Sequence, residues 1–240
     1  MAEGSPTTTP RVSRRYAGFR YLLHAWVRRS LTLTIDGLDN VPPAGPAVLV
    51  GNHPSALDGF VILSVVPRRV CSFRRHDNLP MGLFARTALF SLAVPAVTGS
   101  RKIARNLDAL GLADAALDRG DLLLTLPEGD VHPPQCPGLF ETGFVFLSWR
   151  AHSPIIPVAL AGTELTLPNP SHPRPWDWLR LRRAEVSISF LAPITFDGPP
   201  ATRRQLRERA DFVQARIASA IGTPRHGDTE SATASSLILP

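Results

Sequence analysis

Cysteine is scarce in this sequence: Cys71 and Cys136 are the only two among 240 residues. Two cysteines build neither a disulfide framework nor a metal knuckle, so a reducing compartment and no bound metal are expected. Lysine is scarcer still, because Lys102 stands alone and arginine carries almost all the positive charge. No uncharged apolar run reaches the ~20 residues needed to span a bilayer. The longest candidate, Leu79 to Val97, contains Arg86 and Pro95 and reads as a surface or core helix pair. Ser13 to Phe19, SRRYAGF, has the outline of a twin-arginine export signal. Arg20, Arg28 and Arg29 interrupt the stretch that follows and no A-x-A site is present, so no signal is expected. Several chemistries also lack their usual sequence marks. There is no G-x-S-x-G elbow, no H-E-x-x-H and no glycine-rich P-loop. None of the seven histidines pairs with a cysteine at zinc spacing. No internal repeat is found.

What is present is an ordinary apolar content of 44 %, enough for one sizeable core, and one domain is the expectation at this length. The net charge of +6 is unevenly placed. The first thirty residues hold six arginines (Arg11, Arg14, Arg15, Arg20, Arg28, Arg29) against one acid, Glu3. A basic N-terminus on a balanced body points to an anionic partner, either a lipid surface or nucleic acid. No stacking platform of aromatic and basic residues follows, so nucleic acid is the weaker reading.

Residues 1–13 are polar and expected to be disordered, as is the tail 222–240. Residues 14–34 form a basic amphipathic segment. Within it Phe19, Leu22, Leu23, Trp26 and Val27 cluster on one helical face, with Arg20, His24 and Arg28 on another. Such a helix can pack on the domain, lie on anionic lipid, or do both.

Residues 35–221 are the expected domain. Leu31 to Ile35 reads as a strand, and GLDNVPPAGP as a turn-rich connection. Ala47 to Val50, Leu122 to Leu126 and Ile155 to Leu160 are apolar runs of the buried-strand type. Ile103, Leu107, Leu110, Asp114 and Leu117 repeat at helical spacing and stop at Gly120. Val186, Ile188 and Phe190 alternate with serines, as in a strand with one wetter face, and Thr202 to Ile221 reads as a basic helix. Strands alternating with helices indicate an α/β domain whose sheet is largely parallel and flanked by helices. In such sheets sites gather at the carboxyl ends of strands. His53 and Glu128 each follow a buried strand directly, which places them at one edge.

The stretch GNHPSALDGF, Gly51 to Phe60, sets His53 five residues before Asp58. A neutral imidazole can take up and return a proton at physiological pH. It needs a fixed ring and tautomer, which a carboxylate on its other nitrogen supplies. A helix opening near Ser55 puts Asp58 in its first turn, from where its side chain can fold back to the histidine. Such a pair suits transfer of an acyl group to a hydroxyl. By spacing alone, a histidine packed at a strand end is the better reading, and the position directly after a buried strand shifts the balance toward a base. His132 reads as a loop residue.

From Ile35 to Phe196 the chain resembles the glycerolipid acyltransferases, the group containing 1-acylglycerol-3-phosphate acyltransferase. IDGLDNVPPAGPAVLVGNHPSALD looks like that family's opening strand, proline-glycine turn and N-H-x4-D motif. Arg101 in VTGSRKIAR looks like the counterpart of its arginine motif, with Arg105 one turn on as the alternative. Leu126-Pro127-Glu128-Gly129-Asp130-Val131 stands where F-P-E-G-T-R is usual, and Ile155-Ile156-Pro157-Val158 matches its fourth motif. The resemblance implies that His53 is the base and Asp58 its orienting acid. It implies that Arg101 or Arg105, with Glu128 and Gly129, receives the acceptor headgroup. The co-substrate would be an acyl thioester, on coenzyme A or acyl carrier protein, with no other cofactor and no metal. The acceptor would be lysophospholipid-like, 1-acylglycerol-3-phosphate being the default, in phospholipid biosynthesis. A cytoplasmic protein peripheral to the membrane is expected. Asp130 and Val131 depart from the pattern, since an anion in place of a cation is unfavourable beside a phosphate. Either Arg101, Lys102 or Arg105 does more of the phosphate binding, or the acceptor carries a different headgroup. A lipid acceptor without a phosphate therefore stays open, as does a peripheral lipid-binding protein with a relic site.

Overall fold

A computed structural model describes residues 13–75, 96–99, 103–134, 137–167, 169–174 and 176–222. The expected disordered ends, Arg101, Lys102, Cys136 and most of the apolar stretch from Leu79 lie outside these residues, apart from Ser13 and Gly222 at the ends.

Seven strands form one sheet in the order β1-β7-β6-β2-β5-β3-β4. They are β1 (Thr32–Asp36), β2 (Ala47–Gly51), β3 (Val70–Arg75), β4 (Ala96–Gly99), β5 (Leu122–Thr125), β6 (Ile155–Ala161) and β7 (Glu185–Phe190). Every neighbouring pair is parallel except β6 with β7, which is antiparallel. The largely parallel sheet expected from sequence is thus present. Two strands were not apparent there. In β3 and β4 the apolar run is short and ends in arginine or glycine, so neither stands out as a strand. Ala96 and Val97, expected within a helix pair, instead open β4.

The helices are α1 (Arg14–Ser30), α2 (Asp58–Val65), α3 (Ile103–Asp118), α4 (Gly143–Arg150) and α5 (Arg203–Gly222). They cover both sheet faces, and the alternation along each strand divides its side chains between them. Ala47 and Leu49 of β2 join Leu122, Leu124, Ile156 and Val158 in a core beneath α1 and α2. Val48 and Val50 point the other way, with Leu123 and Ile155, into a core built with α3, α4 and α5. A strand buried on both sides must be apolar throughout, which explains why β2 reads as a continuous run. Ser187 of β7 is buried, so the serine face of that strand is drier than its alternation suggests. The octet GFVFLSWR of α4 has no clear period, and its helical state comes from packing.

Local signals set several ends. Ser13 caps α1 through its side-chain oxygen, which accepts the Tyr16 N–H at 3.2 Å. Gly120, at φ 76°, ends α3 in the paired hydrogen bonds Gly120 N–H to Leu117 O (2.8 Å) and Asp121 N–H to Ala116 O (3.0 Å). Helix α1 packs into the first core through Leu23 and Val27, with Phe19 and Trp26 partly buried. Leu22 does not join them and is 62 % exposed, a correction to the apolar face expected from spacing. Among the described residues no helix is long and apolar enough to cross a membrane.

Two buried polar groups fasten the approach to β3: Tyr16 ties α1 to it, and Arg68 ties it to neighbouring turns. The Tyr16 hydroxyl donates to Arg68 O (3.2 Å) and accepts the Val70 N–H (3.0 Å). The buried Arg68 guanidinium donates to the carbonyls of Pro42, Gly45 and Gly120 at 2.5–2.7 Å. Burial raises the Tyr16 phenol above its usual 10.0, only partly opposed by the Val70 hydrogen bond and nearby arginines. A raised folded-state value means that the folded chain holds this proton more tightly. The associated stability is complete below the unfolded phenol value and is lost as pH rises through the raised one. Tyr16→Phe is expected to lower stability at neutral pH by about 1 kcal/mol per hydrogen bond lost. It should also flatten the fall in stability above pH ~10. Chemical denaturation along a pH series reads both effects, and an unchanged alkaline limb in the variant would contradict this account.

Candidate active site

The parallel register brings the carboxyl ends of β2, β5 and β6 to one edge. Each strand delivers one element of a site there. After β2 come Asn52 and His53, after β5 the turn holding Glu128, and after β6 the pair Gly162-Thr163.

Asn52 fixes the first of these. Its side-chain amide donates to Leu160 O (2.9 Å) and its carbonyl accepts the Leu160 N–H (2.8 Å), clamping the end of β2 to β6. The next residue, His53, keeps its side chain 19 % exposed. Its Nδ1 lies 2.8 Å from Oδ2 of Asp58, whose side chain is fully buried. The same Oδ2 accepts the Ser55 N–H at 2.8 Å, and Oδ1 accepts the Thr163 hydroxyl at 2.5 Å. With Asp58 as the acceptor, Nδ1 carries the hydrogen and Nε2 is left as the basic nitrogen.

The approach to this pair differs in detail from the sequence expectation. The α-helix proper starts at Asp58 rather than Ser55. Ser55 instead caps the preceding turn, accepting the Leu57 N–H at 3.3 Å, while its carbonyl accepts the Asp58 N–H at 3.0 Å. Asp58 still lies in the first helical turn, and its carboxylate folds back over that turn as a helix-start acid does.

Thr163 was not singled out from sequence. Its signal was available: Gly162-Thr163 follows the third buried strand at the same sheet edge. Gly162 sits at φ 87°, and a Cβ there would fall 2.1 Å from Glu185 O. Only glycine fits both the turn and the close approach. That turn sends Thr163 under Asp58.

Glu128 occupies position three of a turn in which the Gly129 N–H donates to Leu126 O at 3.1 Å. Pro127 supplies the fixed φ the turn requires. Both Glu128 carboxylate oxygens meet main-chain donors: Oε1 accepts the His53 N–H (2.9 Å) and Oε2 the Gly138 N–H (2.8 Å). The side chain is buried and binds the histidine segment to the loop beyond β5. His132 reinforces the same joint, donating its main-chain N–H to His53 O at 2.9 Å. Its ring rests on Gly138, where a Cβ would fall 2.6 Å from ring atoms. The position thus has a structural role beyond that of an ordinary loop residue.

Four of the residues singled out from sequence therefore converge: His53, Asp58, Glu128 and Gly129. Arg105 lies in the first turn of α3, with its side chain outside the described region, and Arg101 is outside it altogether. Asp130 is exposed and Val131 partly so. Among the described residues no three His, Cys, Asp or Glu side chains gather as a metal site would need.

Comparison with known proteins bears on the family and the fold. The 1-acyl-sn-glycerol-3-phosphate acyltransferase of Cocos nucifera is 26 % identical over 152 residues, covering 63 % of this chain and 46 % of that protein. An uncharacterized protein of Mycobacterium tuberculosis is 27 % identical over 164 residues, covering 62 % of this chain and 41 % of its own length. The chain thus spans about half the length of the curated relatives it matches. The crystal structure of the 1-acyl-sn-glycerophosphate acyltransferase PlsC from Thermotoga maritima shares the fold, with a TM-score of 0.65 at 17 % identity. That likeness covers 86 % of this chain and 79 % of the other. Residues 32–161, more than half of the sequence, match the family described as Acyltransferase, and the chain belongs to that family.

Proposed function

We propose that this chain transfers a fatty acyl group from an acyl thioester to the hydroxyl of a lysophospholipid-like acceptor at a membrane surface. The observation that carries the reading is the partly exposed imidazole held by a fully buried carboxylate, 2.8 Å away.

Nε2 of His53 removes the proton of the acceptor hydroxyl as its oxygen attacks the thioester carbonyl. Asp58 holds the ring and stabilises the imidazolium that forms. The tetrahedral intermediate collapses with cleavage of the C–S bond, and the imidazolium returns the proton to the departing sulfur. The products are an ester and a free thiol. Thr163 and the Ser55 N–H keep the Asp58 carboxylate in place, and Glu128 positions the main chain of His53. Arg101 or Arg105, with Gly129, receives the acceptor headgroup in this reading. The thiol carrier is coenzyme A or acyl carrier protein.

The exposed Asp130 favours a second reading of the acceptor. An anion beside the turn disfavours a phosphate and suits a lipid whose headgroup carries no such charge.

Acyl transfer to lysophosphatidic acid and to uncharged lysolipids, measured by mass spectrometry of the esters, tests both readings. His53→Ala is expected to keep its fold and lose about 10²–10⁴-fold in kcat. Full activity in that variant on an acceptor the parent acylates would sink the mechanism. Thr163→Val removes a hydrogen bond to a buried charge, of order 1.5–3 kcal/mol. If the full strength of that bond bears on the transition state, kcat should fall about tenfold or more, with KM for the acceptor little changed. A raised KM at constant kcat would instead place Thr163 in acceptor binding. The double substitution Asp130→Thr, Val131→Arg is expected to shift preference toward lysophosphatidic acid. An unchanged preference would separate these two positions from headgroup choice.

A further inference from the structure

Acyl transfer makes no use of a basic face formed by the end of α1 and residues 176–183. On α1, Leu22, Trp26 and Arg29 stand at i, i+4 and i+7, so they share one row of the helix. Opposite them a short turn, Asp177–Leu179, raises Leu179 to 75 % exposure, with Trp176 at 53 % beside it. Between the two elements runs an open groove of about 520 Å³, lined by Trp26, Arg28, Arg29, Trp178, Leu179 and Arg183. Arg180 and Arg182 are exposed alongside. Among the described residues none of these five arginines forms an ion pair. Asp177 is turned inward and buried, accepting the Arg174 N–H at 2.7 Å.

The chemistry of this face is mixed. Unpaired guanidinium groups attract phosphate, yet a soluble anion gives no reason for leucine and tryptophan at the rim. Indole rings and a projecting leucine beside cations suit the boundary between headgroups and acyl chains. This segment and the chain leading to it also pack against α2 and the turn that precedes it. Pro170 O accepts the Ala56 N–H (2.8 Å), and the Phe60 and Trp178 rings lie 5.0 Å apart. Thr163, bonded to Asp58, accepts the Thr166 hydroxyl at its carbonyl (2.6 Å), and Thr166 O accepts the Arg182 N–H (2.8 Å).

We propose that this face docks the protein on an anionic bilayer, with a lipid phosphate seated in the arginine-lined groove. The proposal deepens the membrane part of the reading above, and it stands or falls independently of acyl transfer. Docking through residues 176–183 would set the His53 loop beside the lipid from which an acceptor comes.

The test is co-sedimentation of the full chain with vesicles of phosphatidylcholine plus phosphatidylglycerol, or of phosphatidylcholine alone. Binding is expected only to the mixed vesicles and should weaken with salt. The triple variant R28Q/R29Q/R183Q should lose about fivefold affinity per arginine, or roughly a hundredfold. W176S/L179S should also bind more weakly at unchanged charge. A charge-matched control on α5, R203Q/R204Q/R216Q, should bind as the parent does. Parental binding by the triple variant overturns the proposal, as does equal loss in the control. Tighter binding to duplex DNA than to mixed vesicles overturns it too. Circular dichroism confirms that each variant is folded, and W176S/L179S keeps the test decisive if the triple variant is not.

Discussion

The carboxylate of Asp58 is fully buried and accepts hydrogen bonds from three donors, two in the connection after β2 and one in the turn after β6. Leaving such a charge unpaired in the interior would cost several kcal/mol. The imidazole of His53, the Ser55 N–H and the Thr163 hydroxyl together remove that cost, and each is fixed in doing so. The end of β2, the start of α2 and the turn after β6 are therefore joined at one atom group. A histidine held in this way loses the freedom to rotate and keeps one tautomer.

The sheet makes this convergence possible. Parallel β2, β5 and β6 end at the same edge, so residues more than a hundred positions apart meet without a long excursion of the chain. Polar side chains lock the junctions. Asn52 exchanges two hydrogen bonds with Leu160, and Glu128 spends both oxygens on main-chain donors. Glu128 thus holds the backbone of the base while Asp58 holds its ring. The loop that supplies Thr163 continues into the tryptophan- and arginine-bearing segment, so reaction centre and surface share one scaffold.

How far the sequence reveals this depends on the kind of signal. Central strands were legible because burial on both faces demands continuous apolar runs, as in Ala47 to Val50. His53 and Glu128 were legible because each follows such a run. Thr163 follows one as well, but a glycine-threonine pair resembles any turn, and its contact with Asp58 spans 105 residues. The start of α2 was misplaced by three residues, since Ser55 caps a turn that precedes the helix. Leu22 fits an apolar helical face by spacing, yet the chain leaves it in solvent. Periodicity reports which residues could be buried together, while tertiary packing decides which are.

The most direct measurement is the steady-state rate of acyl transfer by Asp58→Asn, on any acceptor that the parent esterifies. Asparagine keeps the size of the side chain and removes the charge, so the ring of His53 loses the partner that fixes its tautomer. The account predicts a folded variant whose kcat is lower by about 10⁴-fold, as when such an acid is neutralised beside a catalytic histidine. A folded Asp58→Asn variant turning over at the parental rate would contradict it.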